Sequence, residues 1–171
     1  MDTVTTSPRS SSPPILHGSG QFLTFRVGNE EYGVDILRVQ GIQVWGGVTP
    51  IPNTPQHILG VINLRGTIVP ILDLRRRFHL DAQPFGPTTV VVVVKVQVDE
   101  RSQVFGLVVD AVCDVYRIGE QQINPAPECG RAEAADFVLG LAALDEKMVI
   151  LLDIDSLVGR EARSVRDQQM Q

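Results

Sequence analysis

A long-period internal repeat constrains the fold of this chain more than any other feature. Residues 59–74 return as residues 139–154, with six of the sixteen positions identical and most of the others preserved as apolar or polar. An earlier block, residues 32–39, returns as residues 105–112, and a pair of prolines follows each copy. Two copies are too few for a solenoid, so the repeat predicts two related lobes packed together with a groove between them.

The two copies differ most in the turns of their repeated hairpins. Residues 63–66 read Asn-Leu-Arg-Gly, whereas the matching residues 143–146 read Ala-Leu-Asp-Glu. Because binding residues are concentrated on loops that a rigid scaffold positions, a shared scaffold with divergent turns predicts that function resides in the turns.

Composition bounds the class of protein. The chain has 171 residues, 43% of them hydrophobic, which is enough to form a core for one domain or two small lobes. No apolar run approaches the roughly 20 residues that span a bilayer. Residues 1–20 are rich in Ser, Thr and Pro and do not resemble a secretory signal. We therefore expect a cytoplasmic protein with a disordered N-terminal tail (residues 1–20) and a polar C-terminal tail (residues 159–171).

Several function classes are disfavoured. A net charge of -5 and only 5% aromatic residues argue against nucleic-acid binding. The cysteines, Cys113 and Cys129, lack a zinc spacing, and Cys113 is expected to be a small core residue. His17, His57 and His79 are far apart in the sequence. We therefore predict no metal, no cofactor and no enzymatic activity.

Alternating apolar residues and intervening turn residues predict short strands and tight turns. Residues 21–27 and 32–36 form one hairpin, and residues 58–62 and 67–72 form another. Residues 36–42 fit either a strand or one helical turn. Many short strands with Gly and Pro turns favour all-β lobes, and two small barrels fit best.

The middle of the chain adds two expectations. Residues 88–98 form a β-branched strand that needs cover on both faces, so we place it centrally. The Pro- and Gly-containing residues 81–87 are taken as a linker, with the lobe boundary near residues 81–90.

The basic run at residues 75–77 follows Asp73, which is predicted to cap a short helix at its N-terminus, with Asp153 in the matching place. We expect the run to be a solvated helix face. Contact with an acidic protein surface is the alternative.

Five segments together resemble the CheW family of chemotaxis coupling proteins. They are residues 22–25, 31–36, 60–74, 106–112 and 123–127, in the family's order and spacing. The similarity extends from about residue 21 to residue 157. The resemblance implies one CheW-like domain, residues 21–158, built as two intertwined five-stranded Src-homology-3-like barrels with exchanged strands.

The resemblance also implies a function. It identifies a non-catalytic adaptor that couples transmembrane chemoreceptors (methyl-accepting chemotaxis proteins) to the histidine kinase CheA in signalling arrays. The implied partners are the receptor's cytoplasmic hairpin tip and the kinase's regulatory domain, with no nucleic acid and no membrane insertion. The alternative is a CheW-like scaffold of another chemosensory pathway, such as pilus-based motility.

Arg65 is the leading candidate for a binding residue. It lies at a hairpin tip before Gly66, and a guanidinium on a rigid turn suits bidentate pairing with a carboxylate. The resemblance places the receptor-binding residues in the groove: Val39, Gly41, Gly60, Asn63, Leu64 and Arg65. This chain departs from the family pattern at Gly41, because the family commonly carries an acidic residue there, on its receptor-facing surface.

Overall fold

The computed structural model describes residues 20–81, 84–125 and 137–159. Its strands are β1 Gln21–Val27, β2 Glu30–Asp35, β3 Val39–Val44, β4 Ile58–Leu64, β5 Thr67–Asp73, β6 Val90–Val98, β7 Arg101–Val109, β8 Ala111–Arg117, β9 Ile123–Asn124, β10 Val138–Leu144 and β11 Lys147–Leu152. Helical turns occupy Ile36–Arg38, Leu74–Arg77 (α1) and Glu120–Gln122, and residues 154–159 are also helical. Residues 1–19 of the predicted N-terminal tail, residues 160–171 of the predicted C-terminal tail, and residues 82–83 and 126–136 lie outside the described residues.

The strands form two sheets, and the chain crosses between them twice. The six-stranded sheet has the order β8-β1-β2-β11-β10-β9, and the five-stranded sheet has the order β3-β6-β7-β5-β4. The first crossing is Ile36–Arg38, and the second is Asp110 between β7 and β8. The predicted all-β fold of two intertwined lobes is confirmed, although one sheet has six strands rather than five. The predicted lobe boundary near residues 81–90 coincides with neither crossing, because this region connects β5 to β6 within the five-stranded sheet.

Each sheet combines strands from both sequence repeats. In the five-stranded sheet, β5 of the first repeat pairs in parallel with β7 of the second, with Ile71 opposite Gly106. In the six-stranded sheet, β11 of the second repeat pairs in parallel with β2 of the first, with Leu151 opposite Gly33. These two pairings are equivalent in the repeat alignment, so the lobes exchange strands in the same register.

Three apolar clusters hold the sheets together. One fills the interior of the six-stranded sheet around Phe22 and Leu151, and another fills that of the five-stranded sheet around Ile71 and Val93. The largest combines residues of both sheets, from Phe25 to Val92, and therefore lies between the lobes. Because a close-packed interior deforms little, this shared core fixes the two lobes relative to each other.

The valine-rich strand β6 is covered on both faces, as predicted. Val91 and Val93 pack in the cluster inside the five-stranded sheet, whereas Val92 and Val94 pack between the lobes. In residues 36–42, the two interpretations left open both apply. Residues Ile36–Arg38 form one 3₁₀ turn, and β3 begins at Val39.

Cys113 is exposed, so its assignment to the core is wrong. It lies on β8, the edge strand of the six-stranded sheet, where side chains alternate between faces. The neighbouring Val112 takes the inward position and packs against the core between the lobes. Although the residue is exposed, partial burial of the thiol raises its pKa, and the nearby charge of Glu31 raises it further.

The predicted cap of α1 is confirmed. Asp73 accepts a hydrogen bond from the Arg75 N–H at 3.0 Å. Asp153 holds the matching place and accepts one from the Ser156 hydroxyl at 2.9 Å. Burial raises the pKa of Asp73, and the hydrogen bond from the Arg75 backbone opposes this effect.

The basic run is only partly a solvated face. The interpretation is wrong for Arg75, because its side chain is 18% exposed and pairs with Asp110. Arg76 is more exposed, and its Nε lies 3.5 Å from the Asp73 carboxylate. Arg77 stacks over the ring of Phe137 at 4.9 Å. An acidic partner of the basic run, Asp110, therefore belongs to the chain itself.

Candidate functional site

The β4–β5 hairpin ends in a two-residue turn that presents Arg65. Leu64 pairs with Thr67, which leaves Arg65 and Gly66 as the loop, with φ values of 53° and 88°. Positive φ at both positions matches a type I′ turn, whose twist fits a hairpin. The Asn63 side-chain oxygen accepts a hydrogen bond from the Gly66 N–H at 2.8 Å. The turn holds the exposed Arg65 side chain on a well-defined backbone.

The turn borders a depression, here called the edge concavity. It lies where the two edge strands of the five-stranded sheet, β3 and β4, face each other, and its volume is ≈ 320 Å³. Its lining residues are Gln40, Gly41, Ile42, Gln43, Leu64, Arg65, Thr67, Val69, Val93 and Val104. Among these described residues, Arg65 alone carries a formal charge. The edge concavity thus combines mixed apolar and uncharged polar walls with one cation at its rim.

Farther along, a backbone bridge joins the loop that follows β3 to β4. Thr49 pairs with Val61 of β4, with N···O distances of 2.9 Å in both directions. Beside this bridge lies a second, more open depression of ≈ 370 Å³, which Asn63 helps to line. The side of the barrel between β3 and β4 is therefore incompletely closed, and Arg65 stands at one end of the opening.

The structure brings together three of the six predicted site residues. Gly41, Leu64 and Arg65 line the edge concavity, and Asn63 supports the turn beside it. Val39 pairs with Val94 and packs against the core between the lobes. The edge concavity is lined by the five-stranded sheet alone, so its position differs from the predicted groove between the lobes.

Gly60 has a structural reason to be glycine. It is buried with φ of 151°, and a side-chain β-carbon placed there would lie 2.7 Å from the Thr49 carbonyl carbon and overlap its oxygen. The close approach that Gly60 permits is made by the chain's own loop. The repeat contains a signal for this, because Gly140 occupies the equivalent position and meets the Asn124 carbonyl in the same way.

Of the residues that β3 contributes to the edge concavity, sequence reasoning found Gly41 and missed the others. Gln40, Ile42 and Gln43 belong to it, and Ile42 is 46% exposed. Their alternation along a strand was the available signal, but the same residues also fitted a helical turn.

The equivalent hairpin of the second repeat carries opposite charge. Asp145 occupies the place of Arg65 and has nearly the same φ, 52°. In this hairpin Lys147 bonds to the Tyr116 hydroxyl at 2.7 Å and to Glu31 at 3.0 Å. The hydrogen bond with Tyr116 raises the pKa of Lys147, and the bond with Glu31 adds to the rise. The two turns share their backbone geometry but offer different chemistry.

The described parts of the chain contain neither a candidate metal site nor a helix that could span a membrane. Within residues 20–81, 84–125 and 137–159, no group of His, Cys, Asp or Glu side chains could hold a metal ion. In the same ranges, none of the helices has the length and apolar character needed to cross a membrane.

Comparisons with known proteins identify the family. The sequence model of the CheW-like domain matches residues 21–162. The chain is 46% identical over 147 residues to the chemotaxis protein CheW of Klebsiella aerogenes, covering 86% of each chain. It is 36% identical over 149 residues to the CheW of Rhizobium meliloti, covering 87% of this chain and 94% of the relative.

A solved structure agrees with these relatives. The scaffolding protein TtCheW of Thermoanaerobacter tengcongensis has a TM-score of 0.70 and 34% identity, covering 80% of this chain and 90% of that chain. The protein therefore has the fold and sequence of a chemotaxis coupling protein. The chain belongs to the CheW family, and the resemblance inferred from its motifs is confirmed.

Proposed function

We propose that this protein is a non-catalytic adaptor that binds a chemoreceptor and the histidine kinase CheA together, in the cytoplasm at membrane-associated receptor arrays. The edge concavity, with Arg65 on its rim, is the proposed receptor-binding surface. The observation that carries this assignment is the rigid presentation of one guanidinium beside uncharged walls that carry both apolar and polar side chains. Such a surface suits the tip of a helical hairpin, which offers apolar side chains together with carboxylates or exposed carbonyls.

The incompletely closed barrel wall supports this assignment. Gly41 leaves open space above β3, since a β-carbon built there would have no heavy atom within 4 Å. A helix can therefore approach the strand closely at this position. Leu64 and Ile42 supply apolar contact area beside it, while the Arg65 guanidinium directs polar or charged partners to the rim.

Gly60 and Val39 would then support the receptor surface rather than touch the receptor. Gly60 holds the loop with Thr49 against β4, and Val39 anchors the start of β3 in the core. Both positions maintain the edges of the concavity. A substitution at either would change binding through the scaffold.

The kinase is proposed to bind elsewhere, at a lobe end, by contact between similar barrels. The shared core between the lobes supports this division, because a rigid body holds two partners at a fixed distance and angle. An adaptor of this kind biases kinase activity only through contacts that differ between kinase states.

A second pathway is the alternative. The chain is also 35% identical over 140 residues to protein FrzA of Myxococcus xanthus, covering 81% of this chain and 84% of FrzA. That relative does not carry the name chemotaxis protein, so a CheW-like scaffold of another chemosensory pathway, such as pilus-based motility, is the second candidate.

Binding of a receptor cytoplasmic fragment tests the proposal. The fragment is titrated into the wild-type protein, Arg65→Glu and the control Arg101→Glu, which reverses another exposed hairpin arginine in the same sheet. We expect Arg65→Glu to abolish binding and Arg101→Glu to retain it. Equal affinities for all three proteins would reject the edge concavity as the receptor surface.

A further inference from the structure

Two arginine–aspartate pairs stand at the two places where the chain crosses between sheets. The first joins α1 to the second crossing. The Arg75 Nε donates to Asp110 Oδ1 at 2.8 Å, and Arg75 Nη2 donates to Asp110 Oδ2. The same carboxylate accepts the Gly28 N–H at 2.8 Å, so it also contacts the β1–β2 turn. The side chains are only 18% and 24% exposed.

The second pair joins the C-terminal helical segment to the first crossing. Arg38 donates from Nη1 to Asp155 Oδ1 at 2.9 Å and from Nη2 to Oδ2 at 2.8 Å. Asp155 also accepts the Gln97 N–H of β6 at 2.8 Å. Both pairs are therefore bidentate, and each connects a helical segment with a crossing that lies in the other repeat.

The two pairs occupy nearly equivalent places in the repeat, with their charges reversed. Arg75 and Asp155 both stand two residues after a helix-capping aspartate, and they align in the two copies. Their partners follow equivalent strands at nearly the same distance. Asp110 lies four residues after Gly106, and Arg38 lies five residues after Gly33.

The apolar pattern alone does not decide which strands pair. Gly33 and Gly106 align in the repeat, and so do Leu151 and Ile71, so either glycine strand could receive either hairpin in the same register. A chain in which each repeat closed on its own strand would bury similar side chains. Specificity then requires an element that opposes the wrong arrangement.

The reversed charges supply that element. Closure of each repeat on itself would bring Arg75 near Arg38 and Asp155 near Asp110, two like-charge encounters. The observed exchange replaces both with bidentate opposite-charge pairs. Partial burial strengthens both the attraction and the repulsion.

We propose that these two charge-reversed pairs select the exchanged pairing of the lobes and exclude closure of each repeat on itself. Local strand and turn signals form the hairpins, and the pairs then decide which hairpin docks on which strand. This role concerns the scaffold and is independent of the proposed receptor surface.

Charge swaps of equal net charge test the proposal in the full chain. The crossing variant, Arg38→Asp with Asp110→Arg, makes both native pairs repulsive and both self-closing pairs attractive. The full-reversal variant adds Arg75→Asp and Asp155→Arg, which restores opposite charges in the native arrangement. Refolding from denaturant is followed by the fluorescence of Trp45, the one tryptophan of the chain.

The crossing variant should refold in lower yield and melt at a lower temperature than wild type. The full-reversal variant should recover most of both losses. Asp110→Arg removes the acceptor of the Gly28 N–H in both variants, and Asp155→Arg removes that of the Gln97 N–H in the full-reversal variant alone. The gap between the two variants should narrow at high salt, because screening weakens charge interactions.

Two results would overturn the proposal. One is a full-reversal variant that folds no better than the crossing variant. The other is a crossing variant that melts earlier but refolds fully to the native spectrum, since the pairs would then contribute stability without selecting the arrangement. If the crossing variant fails to fold at all, the full-reversal variant must still fold to the native spectrum, or the proposal fails.

Discussion

Alanine substitution at two glycines of the candidate site separates a scaffold role from a binding role. Gly60→Ala adds one methyl group where the Thr49 carbonyl and the Pro50 α-carbon, 3.0 Å away, leave no room. Gly41→Ala adds the same methyl group where no heavy atom lies within 4 Å. Both positions belong to strands of the five-stranded sheet, so each variant serves as the matched control for the other.

The two substitutions are expected to change the free energy of unfolding by amounts that differ in sign as well as in size. At Gly60, a φ of 151° disfavours any residue with a side chain, at a cost of about 1–3 kcal/mol. Overpacking against backbone atoms adds roughly 1–3 kcal/mol, so a total near 3 kcal/mol is expected after local relaxation. In a chain of this size that lowers the melting temperature by about 6–12 °C. Gly41→Ala should be neutral or stabilising by up to about 1 kcal/mol, because alanine restricts the unfolded chain more than glycine does.

Urea unfolding and thermal melts of both variants provide the assay. An unchanged dependence on denaturant in both variants would show that the native and unfolded states are otherwise preserved. If Gly60→Ala melts at the same temperature as wild type and loses only receptor binding, the assignment of Gly60 to the scaffold is wrong.

Three further predictions concern single positions. Burial raises the pKa of Tyr32 from 10.0 to about 12, so the stability that this shift contributes is present below pH 10.0 and should be lost as the pH rises through 12. Tyr32→Phe should remove this alkaline loss of stability. An identical pH dependence of the unfolding free energy in wild type and Tyr32→Phe would contradict the prediction. Burial also raises the pKa of Asp73 above 3.8, so this group favours the folded state most below pH 3.8, and that contribution is lost as the pH rises through the raised value. Asp73→Asn should flatten this pH dependence and keep the helix cap, whereas Asp73→Ala should cost about 1 kcal/mol; equal unfolding free energies for the two variants at neutral pH would refute the capping role. Gly41→Glu should tighten binding several-fold to receptors whose own adaptors carry an acidic residue at this position, since an exposed charge pair contributes roughly 0.2–1 kcal/mol. Unchanged affinity in titrations with several receptors would show that glycine at position 41 has no effect on receptor binding.

The sequence predicted the local features of the site. Asn63, Arg65 and Gly66 determine a two-residue turn through their own backbone preferences and one hydrogen bond between near neighbours. The cap at Asp73 is local in the same way. Such features depend on residues within a few positions of each other, so a single sequence contains the necessary information.

Contacts between distant residues were not predictable in the same way. The edge of the concavity on β3 depends on which face Ile42 presents, and this is decided by pairing with β6. The exposure of Cys113 likewise follows from the position of β8 at the edge of a sheet. Arg75 appeared solvated in the sequence because Asp110, 35 residues away, reaches it only after the lobes exchange strands.

Reconstitution of the receptor fragment, the kinase and this protein tests the central claim most directly. We expect light scattering coupled to gel filtration to detect a complex that contains all three components. Arg65→Glu should remove the receptor from that complex and leave the kinase bound. The account would be contradicted if receptor and kinase displaced each other from the wild-type protein, because an adaptor must hold both at once.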